Sequence, residues 1–273
     1  MYLTIVLCVL AEPCYVEGAS GCDGNGNCYI SASAKGGGTG KDWTNAYTGF
    51  GTRKGQIDPA LMTRGVTYWI GAGSYGAVAF STPDSEAATI TLEAATTRTH
   101  GPASDWNDRI AGQALFSASS ITTDHWIFDG QSRGLDWQSG YTLKFWNQTS
   151  SQGGAINLGT HDRGVSNISL RYVELEGTGA GFPNNTSTAD KCSEDNCGIW
   201  QDNALYESQP VSDLYVGYGY AHHTGNTQFQ MNATGPGGSI NQNVTWEYKR
   251  MSRSQLKVGN GGWVDVTTPL PVE

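Results

Sequence analysis

Three stretches of the chain alternate apolar and variable positions and superimpose without a gap: Ile168-Ser-Leu-Arg-Tyr-Val-Glu-Leu-Glu-Gly, Leu214-Tyr-Val-Gly-Tyr-Gly-Tyr-Ala-His-His and Val244-Thr-Trp-Glu-Tyr-Lys-Arg-Met-Ser-Arg. The alternating sets are Ile168, Leu170 and Tyr172; Leu214, Val216 and Tyr218; Val244, Trp246 and Tyr248. A period of two marks a strand that buries one face. A second short strand pattern precedes each stretch: Ala155-Ile-Asn-Leu, Gly198-Ile-Trp-Gln and Thr227-Gln-Phe-Gln. The repeats therefore consist of two short strands joined by Gly-, Asn- and Ser-rich corners. They start 46 and 30 residues apart, and the longer one carries an insertion over roughly 180–196. A period near 30 residues suits one turn of a solenoid, in which each position stacks on its counterpart one layer away. The shared Tyr column then predicts a ladder of stacked rings.

Upstream, Tyr68-Trp-Ile, Ile90-Thr-Leu-Glu, Ala114-Leu-Phe, Trp126-Ile-Phe and Tyr141-Thr-Leu-Lys-Phe-Trp read as further strands. Asp42-Trp-Thr-Asn-Ala-Tyr predicts a short helix with Asp42 as its N-cap, placed to cover the open end of the stack. No helix-period segments lie between the strands, which disfavours a doubly wound α/β fold. A sandwich of hairpins is the rival arrangement. It calls for two-residue Asn-Gly or Asp-Gly turns, which are scarce here.

The run from Cys28-Tyr-Ile-Ser-Ala-Ser through Asp42-Trp-Thr-Asn-Ala-Tyr to Arg64-Gly-Val-Thr-Tyr-Trp-Ile-Gly-Ala-Gly-Ser-Tyr-Gly resembles the amino-terminal region of the pectate-lyase-like superfamily. The resemblance extends over residues 28–255. It implies an all-β fold, a single-stranded right-handed parallel β-helix solenoid with a short N-terminal capping helix. It also implies a secreted protein that acts on or binds polysaccharide. The superfamily spans lyases, hydrolases, adhesins and tailspikes, so the fold alone does not choose among them. The expected organisation is an export signal over 1–11, a cap region over 12–65, a β-helix over 66–255 and an irregular tail over 256–273.

Composition agrees with an extracellular all-β chain. Charged residues make up 15%, glycine numbers 37, and nine Trp with thirteen Tyr supply apolar mass that a disordered chain lacks. A net charge of -9 argues against nucleic acid or an anionic membrane as a partner. The apolar run Tyr2–Leu10 followed by Ala11 reads as a signal peptide, with a buried first strand as the alternative. Elsewhere no stretch approaches the roughly 18 apolar residues of a membrane span. Cys22 with Cys28, and Cys192 with Cys197, have the spacing of small disulfide loops, while neither pair has zinc-finger spacing. Cys8 and Cys14 remain. Six Asn-x-Ser/Thr sequons occur, at Asn147, Asn167, Asn184, Asn185, Asn232 and Asn243, in a chain rich in those residues.

Stacking the repeats predicts which side chains become neighbours. Glu174, Tyr220 and Arg250 fall in one column; Glu176, His222 and Ser252 in the next; Gly177, His223 and Arg253 after that; Arg171, Gly217 and Glu247 in a fourth. β-Elimination of an acidic polysaccharide needs a cation on the uronate, a base for the C5 proton and an acid for the leaving oxygen. Arg250 or Arg253 suits the first role, His222 or His223 the second and Tyr220 the third. Tyr215, Glu176 and Glu247 are the candidate substrate contacts, Tyr215 as an outward-facing platform. Hydrolysis would use a carboxylate pair instead, and Glu174 with Glu176 lies on one strand face. The same residues also suit a solvated strand corner with Glu and Arg paired across layers. No cofactor or resident metal is expected. Calcium is an option at Asp23-Gly-Asn-Gly-Asn-Cys, where a disulfide-closed turn is the competing reading. A non-catalytic adhesin, filament subunit or sugar-binding module is the alternative function, and self-association into an oligomer or filament goes with it.

Overall fold

The computed structural model describes residues 22–84, 87–147, 153–177, 202–207, 209–223, 229–230, 241–247, 250–252, 255–258 and 262–265. Among them regular structure is almost wholly strand. The exception is one 3-10 turn at Asp108–Ile110.

Among the described residues, all but two strands belong to three parallel sheets. The first has seven: Asn27–Ile30, Thr67–Ile70, Ile90–Ala94, Trp126–Asp129, Ser166–Arg171, Ser212–Gly217 and Gln242–Glu247. The second has six: Gly73–Gly76, Ala114–Ser117, Leu143–Trp146, Val173–Glu176, Tyr220–His222 and Arg250–Ser252. The third has five: Ala79–Phe80, Ser119–Ile121, Gly153–Leu158, Asp202–Glu207 and Phe229–Gln230. From Thr67 to Ser252 the described strands visit first, second and third sheet in strict rotation. Neighbours within a sheet therefore belong to successive passes and run the same way, so the sheets pair in parallel.

The register expected from the repeats is the register observed. Ile168 pairs with Leu214 and Leu214 with Val244. Glu174 pairs with Tyr220 and Tyr220 with Arg250. The first two ten-residue repeats nevertheless span two sheets, because each turns a corner at its fifth residue. Tyr172 and Tyr218 sit at that corner in left-handed backbone, at φ 50° and 56°. Such a conformation costs a non-glycine residue about 1–2 kcal/mol. Their rings stack at 4.9 Å between centroids and 11° between planes, which offsets part of it. One pass earlier the corner is Gly130, where a Cβ would run into the Tyr172 carbonyl. Tyr248, the third member of the expected ladder, lies outside the described residues.

Among the parallel strands, Asn27–Ile30, Gly73–Gly76, Ala79–Phe80, Ser119–Ile121 and Asp202–Glu207 are not among those expected from the sequence pattern, whereas Ala155-Ile-Asn-Leu falls within Gly153–Leu158 and Thr227-Gln-Phe-Gln overlaps Phe229–Gln230. The segment Gly198–Gln201 lies outside the described residues, and the strand of that pass is Asp202–Glu207, with Leu205 between Ile156 and Phe229. Inward-facing residues of all three sheets meet in one core, including Trp126, Phe128, Phe116, Phe145, Leu170 and Leu214. Phe116 and Phe145, on successive passes, stack at 4.8 Å.

The capping helix does not form. Asp42 Oδ1 accepts from the Asn45 N–H at 2.7 Å, as an N-cap would. The next turn is not available, because the Thr44 and Asn45 carbonyls are taken by Gly36 and by Thr39 and Gly40. Trp43 and Thr44 donate their N–H groups to Asp105. Tyr47 then pairs with Ile30 in a parallel bridge. Trp43 instead packs edge-on between Tyr29 and Trp106 in a small aromatic cluster at this end. The first sheet already begins at Asn27, inside the segment assigned to the cap. Past residue 255, where an irregular tail was expected, Gln255–Val258 and Gly262–Asp265 pair antiparallel.

Cys22 and Cys28 form a disulfide. Within that loop Asp23 Oδ1 accepts from the N–H groups of Asn25 and Asn27, and Oδ2 from the Asn27 amide. The carboxylate considered for calcium thus closes the turn itself. Residues 1–11, Cys14, Cys192, Cys197 and the sequons at Asn184, Asn185 and Asn232 lie outside the described residues. Asn147 is buried, whereas Asn167 and Asn243 are exposed. No helix among the described residues is long and apolar enough to cross a membrane.

Candidate functional site on the outer face of the second sheet

Alternation along the second sheet sends Leu143, Phe145, Val173, Leu175 and Ala221 into the core. Lys144, Glu174, Glu176, Tyr220 and His222 alternate with them and occupy the opposite face. Register places Lys144 beside Glu174 and Glu176 beside His222. The side chains close into a network. Glu174 Oε1 accepts from Lys144 Nζ at 2.7 Å and lies 3.0 Å from His222 Nε2. Glu174 Oε2 accepts from the Gln113 amide at 3.0 Å. Glu176 Oε2 pairs with the same Lys144 ammonium.

Glu174 and His222 are 8% and 5% exposed, so an unpaired charge here would be heavily penalised. Burial pushes the Glu174 carboxyl up, but His222 and Lys144 more than reverse it and hold the group below the usual carboxylate range. Burial likewise works against the Lys144 ammonium, and the hydrogen bonds it donates to Glu174 and Glu176 raise it above its ordinary value. Lys144 and the hydrogen bonds from Gln113 and His222 thus offset much of the penalty of burying Glu174.

His223 stands at its rim. Adjacent residues of an extended strand point to opposite faces. His223 is at φ 52°, in the left-handed region, and its ring ends beside that of His222. The two Nδ1 atoms are 2.6 Å apart, and His223 Nδ1 is 3.4 Å from Glu176 Oε1. The His223 side chain is half-exposed. The neutral tautomer that suits these contacts has His222 Nε2 donating to Glu174 and Nδ1 accepting from His223 Nδ1–H. The result is a chain from buried Glu174 through His222 to a solvent-facing imidazole. The Tyr220 ring stacks on His222 at 4.3 Å and on Tyr141 at 6.4 Å, forming an aromatic wall. Glu176, His222 and His223 also bring one donor atom each within 4.8 Å of the others, the arrangement among the described residues best suited to a metal ion.

The expected site thus divides. Tyr220, His222, His223 and Glu176 come together. Arg250 extends their row through its backbone register with Tyr220, and Arg253 lies outside the described residues. Tyr215 and Glu247 sit on the first sheet instead, where the Tyr215 hydroxyl donates to Glu247 Oε2 at 3.2 Å. The corner at Tyr172 and Tyr218 separates the two groups. Burial, followed by Glu247, pushes the Tyr215 hydroxyl up to about 12. The same outer face carries Glu93, Asp129 and Arg171 in one row. There burial, with Asp129 adding to it, raises Glu93 to about 7.

Sequence reasoning missed Lys144 and Gln113. Superposing Leu143-Lys-Phe-Trp on Val173-Glu-Leu-Glu would have placed Lys144 beside Glu174. Gln113 precedes its strand and carries no periodic signal.

No protein-family model, curated protein or solved structure matches the chain.

Proposed function

We propose that this chain is a secreted, right-handed parallel β-helix protein of pectate-lyase-like type that cleaves an extracellular acidic polysaccharide by β-elimination. The observation that carries the reading is the hydrogen-bonded series Glu174–His222–His223, which runs from a buried carboxylate to a half-exposed imidazole. A carboxylate that orients a histidine and offsets the charge it gains is a recurrent way to strengthen a base.

In this reading His223 Nε2 removes the C5 proton of a uronate. The positive charge is shared through His222 toward Glu174. Tyr220, stacked on His222, supplies the proton to the departing glycosidic oxygen. Lys144 is committed to two glutamates, so neutralising the substrate carboxylate falls to Arg250, opposite Tyr220 on the next pass. Glu176 binds sugar hydroxyls from the same face. Rotation of the chain through three parallel sheets and the Cys22–Cys28 disulfide support the β-helix and the oxidising compartment.

The test is incubation of chelator-treated protein with alginate, pectin and glycosaminoglycans while following ultraviolet absorbance of the unsaturated product. The reading expects turnover on one of them, reduced roughly 100-fold or more in His223→Ala. No product from any of the three, or an undiminished rate in that variant, would refute it.

A further inference from the structure

We infer that Glu176, His222 and His223 form a binding site for one divalent transition-metal ion of the zinc class. Two imidazoles and a carboxylate are a donor set such ions favour. Each donor atom here is presented by a separate structural device.

The first device is the left-handed backbone at His223, which brings two sequence-adjacent imidazoles to one face of the sheet. A conformation of that kind in a non-glycine residue costs energy and is held only where something depends on it. The second is Glu174, which engages His222 Nε2 and so leaves Nδ1 as the ligating nitrogen. A carboxylate behind a metal-bound histidine is the usual means of fixing its tautomer and ring plane. The third is Lys144, which occupies Glu176 Oε2 and leaves Oε1 facing His223.

All three donor atoms lie within 4.8 Å of one another. Tetrahedral zinc with bonds of about 2.0–2.1 Å sets its ligand atoms about 3.3 Å apart. The Glu176–His223 separation of 3.4 Å already meets this. The two Nδ1 atoms, at 2.6 Å, must part by roughly 0.7 Å to reach that spacing. His223 is the half-exposed partner and has room to swing outward. The ion takes the place of the proton the imidazoles share. Lys144 balances one of the two carboxylates, so a dication is not opposed by local charge. The half-exposed His223 leaves that side of the cluster open to solvent.

This inference goes beyond the polysaccharide reading and is tested without any polysaccharide. Chelator-stripped full-length protein is titrated with zinc by calorimetry and with cobalt by visible absorption. One equivalent is expected to bind, with a tetrahedral cobalt spectrum. His223→Ala, whose side chain is half-exposed, should retain the native circular dichroism and bind at least 10-fold more weakly. Glu174→Gln, which touches no ion, should weaken binding by about 10–100-fold through loss of the fixed tautomer. Absence of saturable one-to-one uptake, or affinity undiminished from the native protein in His223→Ala or in Glu176→Gln, would overturn the assignment. If His222→Ala does not fold, His223→Ala decides the matter.

Discussion

Glu174 and His222 occupy neighbouring strands but are not opposite each other. The register partner of Glu174 is Tyr220 and that of His222 is Glu176, yet His222 Nε2 reaches Glu174 Oε1 at 3.0 Å. The diagonal contact brings both glutamates of one strand, the lysine of the strand before and both histidines after it into a single network. Because Lys144 is the cation shared by both glutamates and Glu174 is buried, loss of Lys144 should cost far more than loss of an exposed ion pair would. Lys144→Met is expected to lower unfolding free energy by about 3–5 kcal/mol, read by urea denaturation at neutral pH. A loss under about 1 kcal/mol would mean that the glutamates are solvated and the pairing is incidental.

The direction of the Glu174 shift fixes a pH dependence. Its folded carboxyl binds a proton less readily than the unfolded one. Its contribution is therefore complete above the unfolded value of about 4.3 and vanishes as pH falls through the lower folded value. Melting temperature recorded against pH should drop on the acid side in the native protein, with a shallower drop in Glu174→Gln. Parallel acid limbs in the two proteins would disprove this.

Glu93 behaves in the opposite sense. Raised to about 7, it takes up a proton on folding between about 4.3 and 7, so its effect on stability worsens as pH climbs through that window. Glu93→Gln should match the native protein near pH 4 and exceed it by about 1–2 kcal/mol near pH 8, by chemical denaturation. Equal stability at both ends would place Glu93 in ordinary solvent contact.

Much of this architecture was legible before any coordinates. The three aligned repeats carry enough period-2 signal to set register across three passes, and Glu174, Tyr220 and Arg250 fall opposite one another as aligned. The corner was not legible. Nothing in Leu-Arg-Tyr-Val distinguishes a continuous strand from one that turns at Tyr172, since the turn comes from a left-handed backbone that tyrosine seldom adopts. For that reason Tyr215 and Glu247 were grouped with the histidines although they lie on another sheet. Short strands such as Ala79–Phe80 and Ser119–Ile121 hold too few residues to show any period. Asp42 carries a true capping signal, but hydrogen bonds from Gly36, Thr39 and Gly40 outcompete the helix.

Tyr172 and Tyr218 hold the corner on successive passes, and their stacked rings should be energetically coupled. A double-mutant cycle with Tyr172→Leu and Tyr218→Leu is expected to give a coupling of about 0.5–1.5 kcal/mol. A coupling of zero would show that the corner is set by the backbone alone.

The Cys22–Cys28 disulfide closes a short loop ahead of the first strand of the first sheet. Chain-entropy arithmetic assigns it about 2 kcal/mol. Reductant should lower the melting temperature of the native protein by more than it lowers that of Cys22→Ser. A native melting curve indifferent to reductant would show that the loop is open in solution.

Both proposals rest on Glu174 fixing the tautomer of His222, so that the Nδ1 atoms of His222 and His223 face each other. Heteronuclear NMR of metal-free, imidazole-labelled protein reads this directly. The expected spectrum has His222 protonated at Nε2 and bare at Nδ1, with the bare signal lost in Glu174→Gln. A proton on His222 Nδ1 with Nε2 bare, or a spectrum indifferent to Glu174, would contradict the account.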